Sequence, residues 1–183
     1  NDTYSQILGS KHPKALGISS QTTFSEVWDI LAPMFHDVMN GSSVSFPDFK
    51  LTLDRNGYDE DCYFDFSYSP IKKEDGVVGG LLVTVIETTE KVRATAALKE
   101  SNHRFRNNIM QAPVAMCVMR GPNHVVEIAN DQMIQLWGVE ASEIINKPVF
   151  DALPETRNQY LEDVLNSVYK TGIKFVANEQ LVK

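Results

Sequence analysis

His103 has the surroundings best suited to bond-making in this chain of 183 residues. It stands in HRFRNNIMQ, where an imidazole among arginines and amides could act as a nucleophile. The flanks argue against that use. A phosphoacceptor helix runs on into a second long helix, whereas APVAMCVM begins a strand at once, and no nucleotide-binding segment follows. His103 is therefore expected to face solvent on a helix. Cys62 and Cys117 lack metal-ligand spacing and sit among apolar, strand-like residues, the setting of reduced, partly buried thiols. The sequence holds no P-loop, His-Glu-x-x-His, paired-cysteine cluster or nucleophile elbow. No catalysis is expected of it.

The helix that carries His103 spans 88–111, with no Gly or Pro before Pro113. Leu98, Asn102, Phe105, Ile109 and Ala112 step by four, three, four and three, a heptad-like seam for a partner. At 1.5 Å per residue such a helix reaches roughly 35 Å. It reads either as a signalling helix that dimerises and passes strain or rotation between domains, or as a solvated linker packed on its own domain. A seam Asn such as Asn102 can specify register at some cost in stability.

The elements on either side of this helix repeat. NDTYSQILG at position 1 returns as NDQMIQLWG at position 130, and each is followed by a polar, Pro-containing stretch and an amphipathic helix that ends in Gly, at 41 and 172. Strand-like runs follow, SVSFPDFKLTL in the first copy and IKFVANEQLVK in the second. The second copy also has a beginning that the first lacks: PVAMCVMRGPNHVVEIAN reads as strand, turn, strand. The first has an ending that the second lacks. There, Asn56-Gly57 sits between alternating runs as a hairpin signal, Phe64, Phe66 and Tyr68 share one face of a strand, and Tyr63, Asp65 and Ser67 share the other. The whole unit is an α+β one, an antiparallel sheet with helices on one face, present as two truncated copies joined by a long helix. The expected boundaries are 1–89, 90–111 and 112–183.

This layout resembles the PAS domain, a sensory module of bacterial two-component kinases. The resemblance rests on the Asn-Asp openings at 1–2 and 130–131, the hairpin-rich end of the first copy, and its closing Glu87-Thr88-Thr89. KHPKALG at 11–17, YFDFSYSPIKKEDGVVGG at 63–80 and ESNHRFRNNIMQAPVAMCVMRGPNHVVEIAN at 100–130 are similar to stretches of multi-PAS sensor histidine kinases. The resemblance implies a non-catalytic sensory and dimerisation region whose parent is an ATP-dependent protein histidine kinase. Glu87, Thr88 and Thr89, with Leu98, Phe105 and Ile109 on the helix, would relay the signal. The alternatives are a phosphotransfer segment using His103 and a purely structural spacer.

A PAS sheet sets its last strand beside its first, and here those strands belong to different copies. The first two strands of the second copy are therefore expected to complete the sheet of the first, within one chain or by exchange across a homodimer. A ligand pocket in the second copy would be lined by Met116, Val118, Ile128, Met133, Leu136, Trp137, Phe150, Leu161, Val164, Leu165 and Val168, residues that could equally be plain core. Asn130 is expected to cap the following helix. No cofactor is evident. A flavin PAS domain needs a Gly-Arg-Asn-Cys-Arg stretch, and His36, the one haem-ligand candidate in the first copy, lies on the polar side of its helix beside Asp29 and Asp37. A net charge of −7 gives nucleic-acid binding no support, and no apolar run is long enough for a membrane span. A cytoplasmic location is expected, with kinase domains downstream in the parent.

Overall fold

The computed structural model describes residues 1–177, and the chain divides into two compact units, Asn1–Leu98 and a second that begins at Lys99. The first unit opens with α1 (Asp2–Leu8), whose N-terminus Asn1 caps by accepting the Tyr4 amide at 2.9 Å. A short α2 (Ser20–Thr23) follows, capped by Ser19. The amphipathic stretch expected to be one helix starts with a 3₁₀ turn at Ser25–Val27 before α3 (Trp28–Met39). Val27, Leu31 and Val38 are buried, and Trp28, Met34 and Phe35 half-buried, as a single stripe at helical spacing demands.

That stripe packs on an antiparallel sheet of order β1 (Val44–Leu53), β2 (Glu60–Lys72), β3 (Val78–Glu87). β2 alternates without a break: Cys62, Phe64, Phe66 and Tyr68 are buried, and Tyr63, Asp65, Ser67 and Ser69 are half-buried on the other face. A bulge between Phe46 and Phe49 lets both rings reach the inner face, where they pair with Phe66 and Phe64 across the ladder. The Asn56-Gly57 signal does lie in a hairpin, but the connection spans 54–59 and is no two-residue turn. The longer loop turns Arg55 inward, where it is buried.

β3 leads directly into α4 (Thr89–Met110), which runs from the first unit into the second. The expected boundaries set this helix apart as its own segment; its first turns meet the first unit, where Arg93 donates to the Asp61 carbonyl at 2.8 Å and Lys91 meets Asp48 at 3.4 Å.

The second unit has a hairpin of β4 (Cys117–Arg120) and β5 (Val125–Ala129), then α5 (Asp131–Trp137), α6 (Ala141–Ile144), α7 (Val149–Ala152) and α8 (Gln159–Thr171). α5 and α8 both stop at a glycine in the left-handed region, Gly138 and Gly172. Glu140 and Glu143 form a reciprocal capping box on α6. Val126, Ile144 and Leu153 are almost fully buried and centre the core, with Val149, Phe150 and Ala129 around them. The outer edge of β5 is covered, since Val126 donates to Lys147 and Asn146 donates to Val126.

The fold is α+β, with antiparallel sheet and helices as expected. Completion of the first sheet by the second copy's strands within one chain is not what forms: β3 pairs with β2 alone and β4 with β5 alone among the described residues. An unbroken helix of 22 residues, roughly 33 Å long, follows β3. The strand-like run at 173–183 is not a strand over 173–177, and its remainder lies outside the described residues. No helix among the described residues is long and apolar enough to cross a membrane.

Candidate functional site

Between the inner face of the first sheet and its helices lies a cavity of about 60 Å³. Its walls are apolar: Ile7 from α1, Val27 and Leu31 around the start of α3, Phe64 and Phe66 from β2, Val85 from β3. The polar side chains that line it are Tyr4, Ser20 and Tyr68, and none is charged at neutral pH. Burial pushes the Tyr68 phenol from 10.0 up to about 12, with the neighbouring Tyr4 phenol adding to the effect. Burial raises Tyr4 as well. A second recess of about 300 Å³ shares Tyr4, Ser20 and Phe24 with the cavity and is lined also by His12, Leu16 and Ile18. Leu16, which lines this recess, is 92% exposed.

The pocket expected from the sequence lies in the second unit, where its residues divide between core and surface. Met133, Trp137, Phe150, Leu161 and Leu165 pack into the second core. Leu136 points out at 72% exposure, Met116 is exposed, and Val164 and Val168 line a surface cleft beside Tyr160. Cys117 and Met119, opposite Ala129 and Val126, join the core, while Val118 and Ile128 pair with each other outside that cluster, although Ile128 is buried. A bulge between Val118 and Met119 breaks the simple alternation.

At the exit from β3 stands a cluster of charge-assisted hydrogen bonds. Arg55 grips Glu87 with both terminal nitrogens, at 2.6 and 2.8 Å, and reaches Glu60 through Nε at 3.0 Å. Thr89 donates to Glu87 at 2.8 Å and accepts the Tyr63 amide at 2.9 Å, while the Thr88 amide donates to the Tyr63 carbonyl at 2.8 Å. The guanidinium holds the Glu87 carboxyl below the usual carboxylate range, more strongly than burial raises it. The backbone of Arg55 is engaged as well: its carbonyl accepts the Ser10 amide at 2.8 Å, and a Cβ on Gly9 would come within 2.4 Å of that oxygen. Only glycine fits there. Glu87, Thr88 and Thr89 thus sit together where the helix begins.

At the other end of α4, Asn130 is fully buried. Its Oδ1 accepts the Met133 amide at 3.0 Å, the expected cap, and the Met116 amide at 2.9 Å. Its Nδ2 donates to the carbonyls of Ile109, Ala112 and Val114 at 3.2, 3.3 and 2.7 Å. One side chain therefore ties the last turn of α4 to the hairpin and to α5. Of the seam residues, Ile109 is 4% exposed, whereas Leu98 and Phe105 are 64% and 52% exposed. His103 is exposed on α4, with Nε2 3.0 Å from the Asn107 side chain, and the chain enters β4 soon after the helix ends. His36 is exposed and faces away from the cavity wall. Cys62 is buried and Cys117 half-buried, both unpaired thiols.

Sequence reasoning missed Arg55. It lies in a polar turn, DRNG, where a solvated arginine is the ordinary reading, and its partner comes 32 positions later. Tyr4 and Ser20 of the cavity were missed likewise, each being an unremarkable residue at the edge of a short helix.

No curated protein matches the chain. A family model does: the one described as the PAS domain matches residues 113–179, all within the second unit. Hairpin, capped helix, short helices and long helix fall in this stretch, and it is the PAS family, one of sensing and signalling, to which residues 113–179 are similar.

Proposed function

We propose that this chain is a non-catalytic sensory and relay region of a two-component signalling protein, built from tandem PAS repeats of a sensor histidine kinase. The observation that carries the reading is α4, an unbroken helix anchored at its start by the Arg55–Glu87–Thr89 cluster and at its end by Asn130. A rod held at both ends passes displacement along its axis and rotation about it, which is what a relay needs. The repeat supports the tandem reading. Asn1 and Asn130 each cap a seven-residue helix that ends at a glycine, 129 positions apart. Exposed Leu98 and Phe105 offer a seam to a second copy, and the edge of β3, which pairs with no further strand among the described residues, offers a place for β4 of that copy, so the working unit is a homodimer. Kinase chemistry, with its ATP, belongs to domains downstream in the parent, in the cytoplasm, and no cofactor is assigned to this region.

Hydrogen exchange on the full chain tests the relay. Arg55→Met should speed exchange along α4 beyond Leu98 as far as Met110, and at the Met116 and Met133 amides held by Asn130. A change confined to residues up to Leu98 would show that the helix ends are independent and that the relay reading is wrong.

A further inference from the structure

We infer that Asn56 is a site of spontaneous deamidation through the Gly57 nitrogen, and that the carboxylate formed there disturbs the grip of Glu60 on Arg55. The chain holds two Asn-Gly pairs, 40–41 and 56–57, and in each the glycine leaves its nitrogen uncrowded by a Cβ. All four residues are exposed, so sequence and access do not tell the pairs apart. Backbone hydrogen bonding does. Gly41 closes α3: its amide donates to the Val38 carbonyl at 2.9 Å, and the next amide, Ser42, donates to the Asp37 carbonyl at 3.1 Å. Gly57 lies in the irregular connection 54–59, and no group among the described residues accepts its amide. That nitrogen can lose its proton to base and attack Asn56 Cγ without first giving up a partner. The N–Cγ bond forms, the Cγ–Nδ2 bond breaks, and Nδ2 leaves as ammonia with a proton from water. The cyclic imide then takes up one water. Cleavage of its N–Cγ bond leaves aspartate, and cleavage of its bond to the main-chain carbonyl carbon leaves isoaspartate, with nothing oxidised or reduced. Asn56 Nδ2 donates to Glu60 Oε2 at 3.3 Å, the same oxygen that receives Arg55 Nε at 3.0 Å. Aspartate replaces that donor by an anion facing Glu60. Isoaspartate also lengthens the main chain by one carbon, inside a loop whose ends are fixed by the pairing of Leu53 with Glu60.

Ageing the full chain in mildly alkaline, oxygen-18-enriched water, followed by digestion and mass spectrometry, tests the site. Asn56 should turn into aspartate and isoaspartate carrying one heavy oxygen, at least about tenfold faster than Asn40, whose cap must open first. In denaturant the two pairs should react at similar rates. Equal rates in the folded chain, or an Asn56 that stays intact, overturn the inference. The effect on Arg55 is read at the Ser10 amide, which donates to the Arg55 carbonyl. Its hydrogen exchange should quicken several-fold in the aged chain. In aged Asn56→Gln, whose longer side chain cannot close a five-membered imide, it should stay as it was. Exchange that quickens in both, or in neither, refutes the disturbance of Arg55. None of these outcomes depends on what α4 relays.

Discussion

Arg55→Met removes a guanidinium whose side chain is 10% exposed and leaves the carboxylates of Glu60 and Glu87, 19% and 25% exposed, without their cation. Truncating one partner of a buried pair costs about 3–5 kcal/mol, and the residual exposure of Glu87 lets water recover part of it, so a loss of about 3 kcal/mol is expected for the first unit. Glu87→Gln keeps the shape and one acceptor for Thr89, and about 2 kcal/mol is expected. The two changes remove the same interaction, so the double variant should fall short of additivity by at least about 1 kcal/mol. Trp28 in the first unit reports its urea unfolding once Trp137, in the second, is replaced by Phe. The pair also fixes a pH signature. The Glu87 carboxyl is held low in the fold, so its contribution is complete above the ordinary carboxylate range and disappears as pH falls through the depressed value. Arg55→Met should flatten that acid limb. A coupling below about 0.5 kcal/mol, the range of a solvated surface pair, would refute the clamp.

Asn130→Ala leaves three carbonyls and two amides of the second unit without their side-chain partner, and about 3 kcal/mol should be lost in an unfolding curve read by Trp137. Asn130→Asp should lose more despite its identical shape, because it turns a carboxylate oxygen toward three carbonyl oxygens; equal stability of the two variants would disprove the bonding pattern. Tyr68 is protonated in the fold up to about 12 against 10.0 for a free phenol, so its contribution is complete below pH 10 and is lost as pH rises through the folded value. The parent should lose about 2–3 kcal/mol more than Tyr68→Phe between those limits, measured by urea titration at each pH.

Much of the scaffold was legible because it is written in local periods. The alternation from Cys62 to Tyr68 shows a half-buried strand, and the stripe from Val27 to Val38 shows a helix with one buried face. Glycines at 138 and 172 mark helix ends by their need for a left-handed backbone. The site was less legible, because its residues meet across long stretches of chain. Asn130 declares itself as a cap through a partner three residues away, but its bonds to the carbonyls of 109, 112 and 114 depend on how the hairpin folds back. Arg55 is identified only by Glu87. The residues expected to line a pocket in the second unit divide between core and surface: a bulge interrupts the pairing where Val118 and Met119 face Ile128 and Val126, and Leu136 is 72% exposed among the described residues.

Arg55 stands between two parts of the first unit that never touch in sequence. Its backbone oxygen receives Ser10, just past the helix that carries Tyr4 and Ile7 into the cavity wall, and its guanidinium receives Glu87, one residue before the next helix is launched. Thermodynamics makes such an arrangement work in both directions. If filling the cavity changes how firmly Glu87 is held, then twisting or pulling on the outgoing helix must change, by the same factor, how tightly the cavity holds its guest. An occupant's affinity would then report the load on the helix as faithfully as the helix reports the occupant.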